Sequence, residues 1–173
     1  MIQCNLCGSE VDDDAGSCQG CSTPVSIIKE EVQLPDPRGA VNDYAGILSE
    51  GESGELASMV TSFFHKTDVP IVIAIIQSTG YLHPSEYAFL LYNHWGIGEE
   101  GVNRGALFLL CIKDQHLESE IGSGLEPVLP EEEGDAIVAE FISSLSKGNY
   151  FEGLKKGTQA LIKTLQGRLP SLP

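Results

Sequence analysis

Residues 69–112, VPIVIAIIQSTGYLHPSEYAFLLYNHWGIGEEGVNRGALFLLCI, decide the fold. They begin and end with apolar runs of strand length, VPIVIAII (69–76) and ALFLLCI (106–112), each apolar at nearly every position. Such runs belong to strands buried on both faces. Between them Pro84 opens a helix, PSEYAFLLYNHW, that is too long for a hairpin connection. Strand, helix and strand imply a parallel pair joined by a right-handed crossover. The same stretch contains Gly96, Gly98 and Gly101, a literal G-x-G-x-x-G. A dinucleotide fingerprint needs a strand before its glycines and a helix after them. Here the order is helix then strand, and Glu99 and Glu100 would repel a phosphate. These glycines therefore read as the exit from a helix end rather than as a nucleotide cradle.

Working outward, Ser49-Glu50-Gly51-Glu52 has the capping-box pattern that starts a helix. Leu56, Met59, Val60, Phe63 and Phe64 form its apolar face. After the second buried strand the turn KDQH leads into LESEIG, an alternating segment that reads as an antiparallel partner. Pro130 begins a further helix with Ile137, Val138, Phe141, Ile142 and Leu145 on one face, and residues 151–165 form another through Phe151, Leu154, Leu161, Ile162 and Leu165. The fold class is α/β: a three-layer α/β/α sandwich on a mixed central sheet, preceded by a small zinc ribbon. The boundaries expected are 1–26 for the ribbon, 27–38 for a linker with a short edge strand near Val32, 39–167 for the main domain, and 168–173 for a tail.

The ribbon rests on four of the five cysteines, in CNLC (Cys4, Cys7) and CQGC (Cys18, Cys21). Each C-x2-C can form a knuckle aiming two thiolates at one point, and two knuckles complete a tetrahedral sulfur shell suited to Zn2+. A segment this short and poor in large apolar residues cannot fold on a core alone, so the metal supplies folding energy. Asp12, Asp13 and Asp14 read as solvated turn residues.

The chain carries 25 acidic and 10 basic residues, a formal net charge of −15. That surface repels phosphate backbones and excludes nucleic acid as a partner of the whole chain; cations or a basic protein surface fit its sign. No apolar run reaches the roughly 18–20 residues of a membrane span, and MIQCNLCGSE has none of the regions of a signal peptide. The expected setting is cytoplasmic, without an integral membrane segment.

Five segments in order carry a family resemblance: VNDYAGILS (41–49), WGIG (95–98), NRGALFLL (103–110), GSGLEPVLPE (122–131) and KGNYFEGLKKG (147–157). Together they resemble the TPM domain family, also known as the repair-of-photosystem-II family, over about 130 residues. The resemblance implies an α/β/α sandwich. It also implies functions ranging over weak acid phosphatase activity, calcium binding and accessory roles in membrane complexes. It makes the loops around VNDYAG, GVNRG and GLEPVLPE the candidate site, with Asn42, Asp43, Asn103, Glu126 and Glu131. Oxygen ligands of this kind suit Ca2+ or Mg2+, and a bound ion would polarise a phosphoryl oxygen. The family usually has Asp where Glu131 stands. Beside these roles stand plain ones: Asp43 capping a turn, and Glu131, Glu132 and Glu133 lining a helix start.

No nucleophile–base pair is evident. Ser123 lacks the elbow spacing, Cys111 lies inside a buried run, and His65, His83, His94 and His116 are scattered. Two functions follow from the sequence. The first is a protein-interaction or accessory module with a structural zinc ribbon and with acidic loops suited to Ca2+ or Mg2+; the second is a weak metal-assisted phosphatase.

Overall fold

The computed structural model describes the chain except residues 5–6, 13, 23–24, 26–32, 81, 99–100 and 170–173, and the side chain of Glu131. The edge strand expected near Val32 lies outside the described residues.

At the N-terminus β1 (Ile2–Gln3) and β2 (Glu10–Val11) pair antiparallel, Ile2 opposite Val11. The main sheet has four strands in the spatial order β3 (Val41–Asp43), β4 (Ile71–Ile76), β5 (Ala106–Cys111), β6 (His116–Ile121). The first two pairings are parallel and the β5–β6 pairing is antiparallel. Four helices cover it: α1 (Glu50–Thr67), α2 (Pro84–His94), α3 (Glu131–Leu145) and α4 (Tyr150–Gln166).

Pleating sends alternate side chains of β4 and β5 into two separate cores. Ile71, Ile73, Ile75, Phe108 and Leu110 meet α1, α3 and α4 through Leu56, Val60, Phe63, Phe141, Leu154, Leu161 and Leu165. Ala74, Ile76, Leu107, Leu109 and Cys111 meet α2 through Ala88, Leu90 and Leu91. That is why both runs are apolar at every position. The sandwich is thus three layers, with three helices on one face and one on the other.

Phe64 and Ile142, expected on apolar faces, are 39% and 51% exposed. Consecutive helical residues point about 100° apart, so Phe63 and Phe141 take the buried positions and their neighbours fall on the shoulders.

The helix starts are chemically specified. The Ser49 and Glu52 side chains cap each other's backbone amides. At α2 the box is made by His83 and Glu86, with Pro84 in the first turn.

The two parallel crossovers differ in hand. Both step the same way across the sheet, yet α1 lies on one face and α2 on the other. With an L-residue's side chain toward the viewer and its strand running upward, its N–H and C=O point right. Ile73, facing α1, donates its amide to Ala40 O at 2.8 Å, and Ile75 O accepts from Tyr44 N. Seen from the α1 side, β3 is therefore right of β4, and β3–α1–β4 steps left with its helix in front. That connection is left-handed. β4–α2–β5 is right-handed, as the sequence implied. Since about 98% of such crossovers are right-handed, the first is the unusual one.

Candidate metal centre

The two knuckles face each other across a small satellite core of Val11 and Val25, with Cys4 and Cys18 buried among them. In the first, Gly8 N donates to Cys4 O, and Gly8 takes φ +75°, which its missing Cβ allows. In the second, Ser22 N donates to Cys18 O. The Sγ atoms of Cys4, Cys7, Cys18 and Cys21 all lie within 4.8 Å of one another. Cys4–Cys21 are 3.6 Å apart and Cys7–Cys18 3.5 Å. A disulfide needs about 2.05 Å, so neither pair is bonded. Sulfurs placed tetrahedrally about 2.3 Å from a zinc ion stand about 3.8 Å from each other. The cluster has the size of such a shell, and these four residues would hold the ion.

Two neighbours of the cluster carry no motif. Ser9 Oγ lies 3.3 Å from Cys7 Sγ. Its hydroxyl first, then its backbone and the Cys18 thiol, pull the Cys7 thiol down to about 6, toward the thiolate a cation requires. Gly20 lets the knuckles close: a Cβ there would lie 2.5 Å from Ser9 Oγ and 3.1 Å from Cys7 Sγ. Asp12 and Asp14 are exposed, and no further group of three or more metal-ligating side chains occurs among the described residues.

The acidic loops do not share a rim. Asp43 ends β3 at the carboxyl edge of the parallel strands, opposite Ile75. Its Oδ1 accepts from Ala45 N and Gly46 N at 3.1 and 2.8 Å, and its Oδ2 from Leu48 N at 2.8 Å. Both oxygens thus hold the loop that leads into α1. Asn42 is fully buried; it accepts from Arg38 N and donates to Gly39 O and Ile73 O. Glu126 follows a single 3-10 turn, Ser123–Leu125, that is bonded to Asn103 and Gly105 at the opposite, amino edge. Six-residue strands separate the two edges by about 20 Å. Glu131 opens α3 five residues beyond Glu126. The structure brings the four cysteines together, but not Asp43 with Glu126.

What gathers at the amino edge is a knot around one hydroxyl. Tyr92 Oη donates to Asn103 Oδ1 at 2.9 Å, and Asn103 Nδ2 donates to Ser123 Oγ at 3.2 Å. A Cβ at Gly98, Gly105 or Gly122 would come within 2.7, 3.1 or 2.5 Å of that Tyr92 oxygen. At Gly122 it would also lie 2.1 Å from Asn103 O. Burial, then Glu120, pushes the Tyr92 phenol up to about 12, so it stays a donor. The glycines of WGIG, NRG and GSG thus serve close packing of three loops, while Gly96, Gly98 and Gly101 all take positive φ on leaving α2.

Several other reactive side chains are held by neighbours. His83 caps α2, and His116 Nε2 sits 3.0 Å from Glu118 Oε2. Cys111 is buried, and desolvation, then Asp114 and Glu118, push its thiol up to about 12. Trp95 is half-buried; its Nε1 donates to Pro35 O at 2.7 Å.

Similar solved structures include three bacterial proteins. The N-terminal domain of a P. gingivalis protein shares 28% identity at a TM-score of 0.68, covering 75% of this chain and 83% of its own. BA42 from the psychrophilic bacterium Bizionia argentinensis shares 15% identity at 0.66, covering 74% and 88%. The N-terminal domain of the cg2496 protein from Corynebacterium glutamicum shares 14% at 0.61, covering 78% and 87%. No curated protein matches. The family model described as TPM domain matches residues 41–164, from the first residue of β3 into the last turns of α4. The chain belongs to the TPM domain family.

Proposed function

We propose that this protein is an accessory, protein-interaction member of the TPM family whose N-terminal ribbon, residues 1–26, holds a structural Zn2+ on Cys4, Cys7, Cys18 and Cys21. The observation that carries the metal is the four sulfurs within 4.8 Å of one another. Sulfur-only ligation selects zinc over Ca2+ or Mg2+, which take oxygen. When bound, the ion closes the two knuckles and supplies the folding energy that four small core side chains cannot.

The interaction reading is supported by what the main domain lacks among its described residues. Asp43 has both oxygens committed to its own loop and lies about 20 Å of sheet away from Glu126. Neither Ser123 nor Cys111 is hydrogen-bonded to a described histidine, and the one serine hydroxyl that is, Ser85 Oγ 2.8 Å from His83 Nδ1, belongs to the exposed cap of α2, where the same ring nitrogen accepts from Ser85 N. Nothing in this geometry favours phosphomonoester hydrolysis over docking.

Two measurements test the reading. Metal analysis of protein purified under reducing conditions gives one zinc per chain, lost in Cys4→Ser/Cys18→Ser. A generic phosphomonoester with Mg2+ or Ca2+ is hydrolysed no faster than background by wild type or Asp43→Asn. Zinc well below stoichiometric removes the ribbon, and hydrolysis abolished by Asp43→Asn removes the interaction reading.

A further inference from the structure

The residues just before β3 do not pass over the domain as a loose tether. Leu34–Arg38 run over a face built by the side chains of Tyr44 and Trp95, whose rings contact each other at 6.4 Å and 47°. Trp95 Nε1 donates to the Pro35 carbonyl, and the Tyr44 hydroxyl donates to the next carbonyl, that of Asp36. Leu34 packs with Tyr44, Trp95 and Val72 against the core beneath α2. At the far end the Arg38 guanidinium sits 4.6 Å from the Tyr44 ring centroid, and the Arg38 amide donates to Asn42 Oδ1 at 2.6 Å.

This arrangement has a recognisable logic. Proline has a fixed φ and no N–H, so an extended proline segment offers carbonyls and flat rings at little entropic cost. Grooves that recognise such segments are lined with aromatic faces. Here indole N–H and phenol O–H donors additionally bond successive carbonyls, and a cation stacks on the same tyrosine.

We propose that the Tyr44–Trp95 face is a peptide-recognition site for an apolar–Pro–acid–Pro–Arg segment, which this chain covers with its own residues 34–38. Only Gly39 and Ala40 separate that segment from β3, so its effective concentration at this face is of millimolar order or above. A partner carrying the same chemistry displaces it only by matching that advantage. The strap is therefore the default occupant, and exchange of strap for partner detaches from the domain the chain that leads back to the ribbon. The site uses none of the ribbon's cysteines, so it stands whether or not the ribbon holds zinc.

Trp95 is the single tryptophan, which makes its emission a direct readout. In the full-length chain carrying Leu34→Ala, Pro35→Ala and Pro37→Ala, Trp95 emission moves to the red. A capped synthetic peptide of residues 33–38, QLPDPR, restores it, whereas a scrambled peptide does not. Wild type needs at least tenfold more peptide, because its own strap competes. Adding Tyr44→Phe to the strap variant weakens the peptide roughly two- to tenfold, the loss of one hydrogen bond. Equal response to both peptides, or no response from a strap variant whose circular dichroism matches wild type, overturns the proposal. Should that variant not fold, wild type at millimolar peptide decides: the Trp95 indole N–H resonance shifts with QLPDPR and not with the scramble, or the proposal fails.

Discussion

Replacing Gly157 with alanine sets two known effects against each other at a site where the structure fixes the sign. Gly157 lies in the middle of α4, where alanine is favoured over glycine by about 1 kcal/mol. Its Cβ position, however, is occupied by the Phe141 ring of α3: an added carbon would lie 2.0 Å from two ring atoms and 2.3 Å from a third. Carbon contacts are comfortable near 3.5–4.0 Å, so the ring must move by about 1.5 Å. It has little room, because Phe141 is fully buried and its ring packs, tilted by 49°, with its centroid 4.4 Å from that of Phe108 on β5. Overpacking of this severity costs about 3 kcal/mol, the upper end of the usual range. The net loss expected is then about 2 kcal/mol, or roughly 4–8 °C in Tm for a chain of this size. Urea denaturation and calorimetry measure it. Gly54→Ala, on the exposed face of α1 with nothing within 4 Å of the new carbon, is the control and gains about 0.5–1 kcal/mol. In a Phe141→Leu background the Gly157→Ala cost shrinks below about 1 kcal/mol, because the clashing ring is gone. If Gly157→Ala is as stable as wild type, or its cost is unchanged beside Phe141→Leu, the close approach of α3 and α4 is not what holds this position to glycine.

Other consequences are equally direct. Gly20→Ala pushes Ser9 and Cys7 out of place and lowers zinc affinity, read by competition with a chelating dye, while Gly16→Ala, with open space around it, leaves it unchanged. Asp43→Asn loses a charged acceptor of three backbone amides and destabilises by about 1–3 kcal/mol, measured by urea denaturation. Cys111, its thiol pushed up to about 12 by burial first, resists iodoacetamide at pH 8 in the native state and reacts once urea is added; native-state labelling would refute its burial. Glu120 has its carboxyl raised above the usual 4.5 by desolvation and then by Glu118. A raised folded pKa gives stability that is complete below the unfolded value and lost as pH climbs through the folded one. Glu120→Gln therefore raises Tm near neutral pH and has little effect below about pH 4; a larger gain in acid would contradict the burial of this carboxylate.

Much of the fold is written locally. Two runs apolar at every position announce strands covered on both faces, and Ser49 and Pro84 mark helix starts through capping chemistry that needs no tertiary context. The cysteine cluster is nearly as plain: two C-x2-C knuckles suit a metal or two disulfides, and the S···S distances of 3.5 and 3.6 Å favour the metal. β3 was not legible as a strand: its three residues, Val-Asn-Asp, are too few to show a period. Nor was the hand of its crossover, which depends on which side of β4 it joins. The roles of Gly98, Gly105, Gly122 and Gly157 are set by atoms tens of residues away, so sequence showed that glycines recur but not what they admit. Asp43 and Glu126 looked like partners because each ends a loop in a recurring motif. The register of the sheet puts those loops at opposite ends.

The short edge strand has a mechanical meaning. β3 contributes three residues of parallel pairing through a connection of the rare hand, while β4 and β5 are joined along six. Tension entering from the N-terminal side would open this seam before the β4–β5 pairing. The grip of Tyr44 and Trp95 on residues 34–38 lies upstream of it and takes up the load, so the aromatic pair acts as a strain relief that must let go before the sheet begins to unzip.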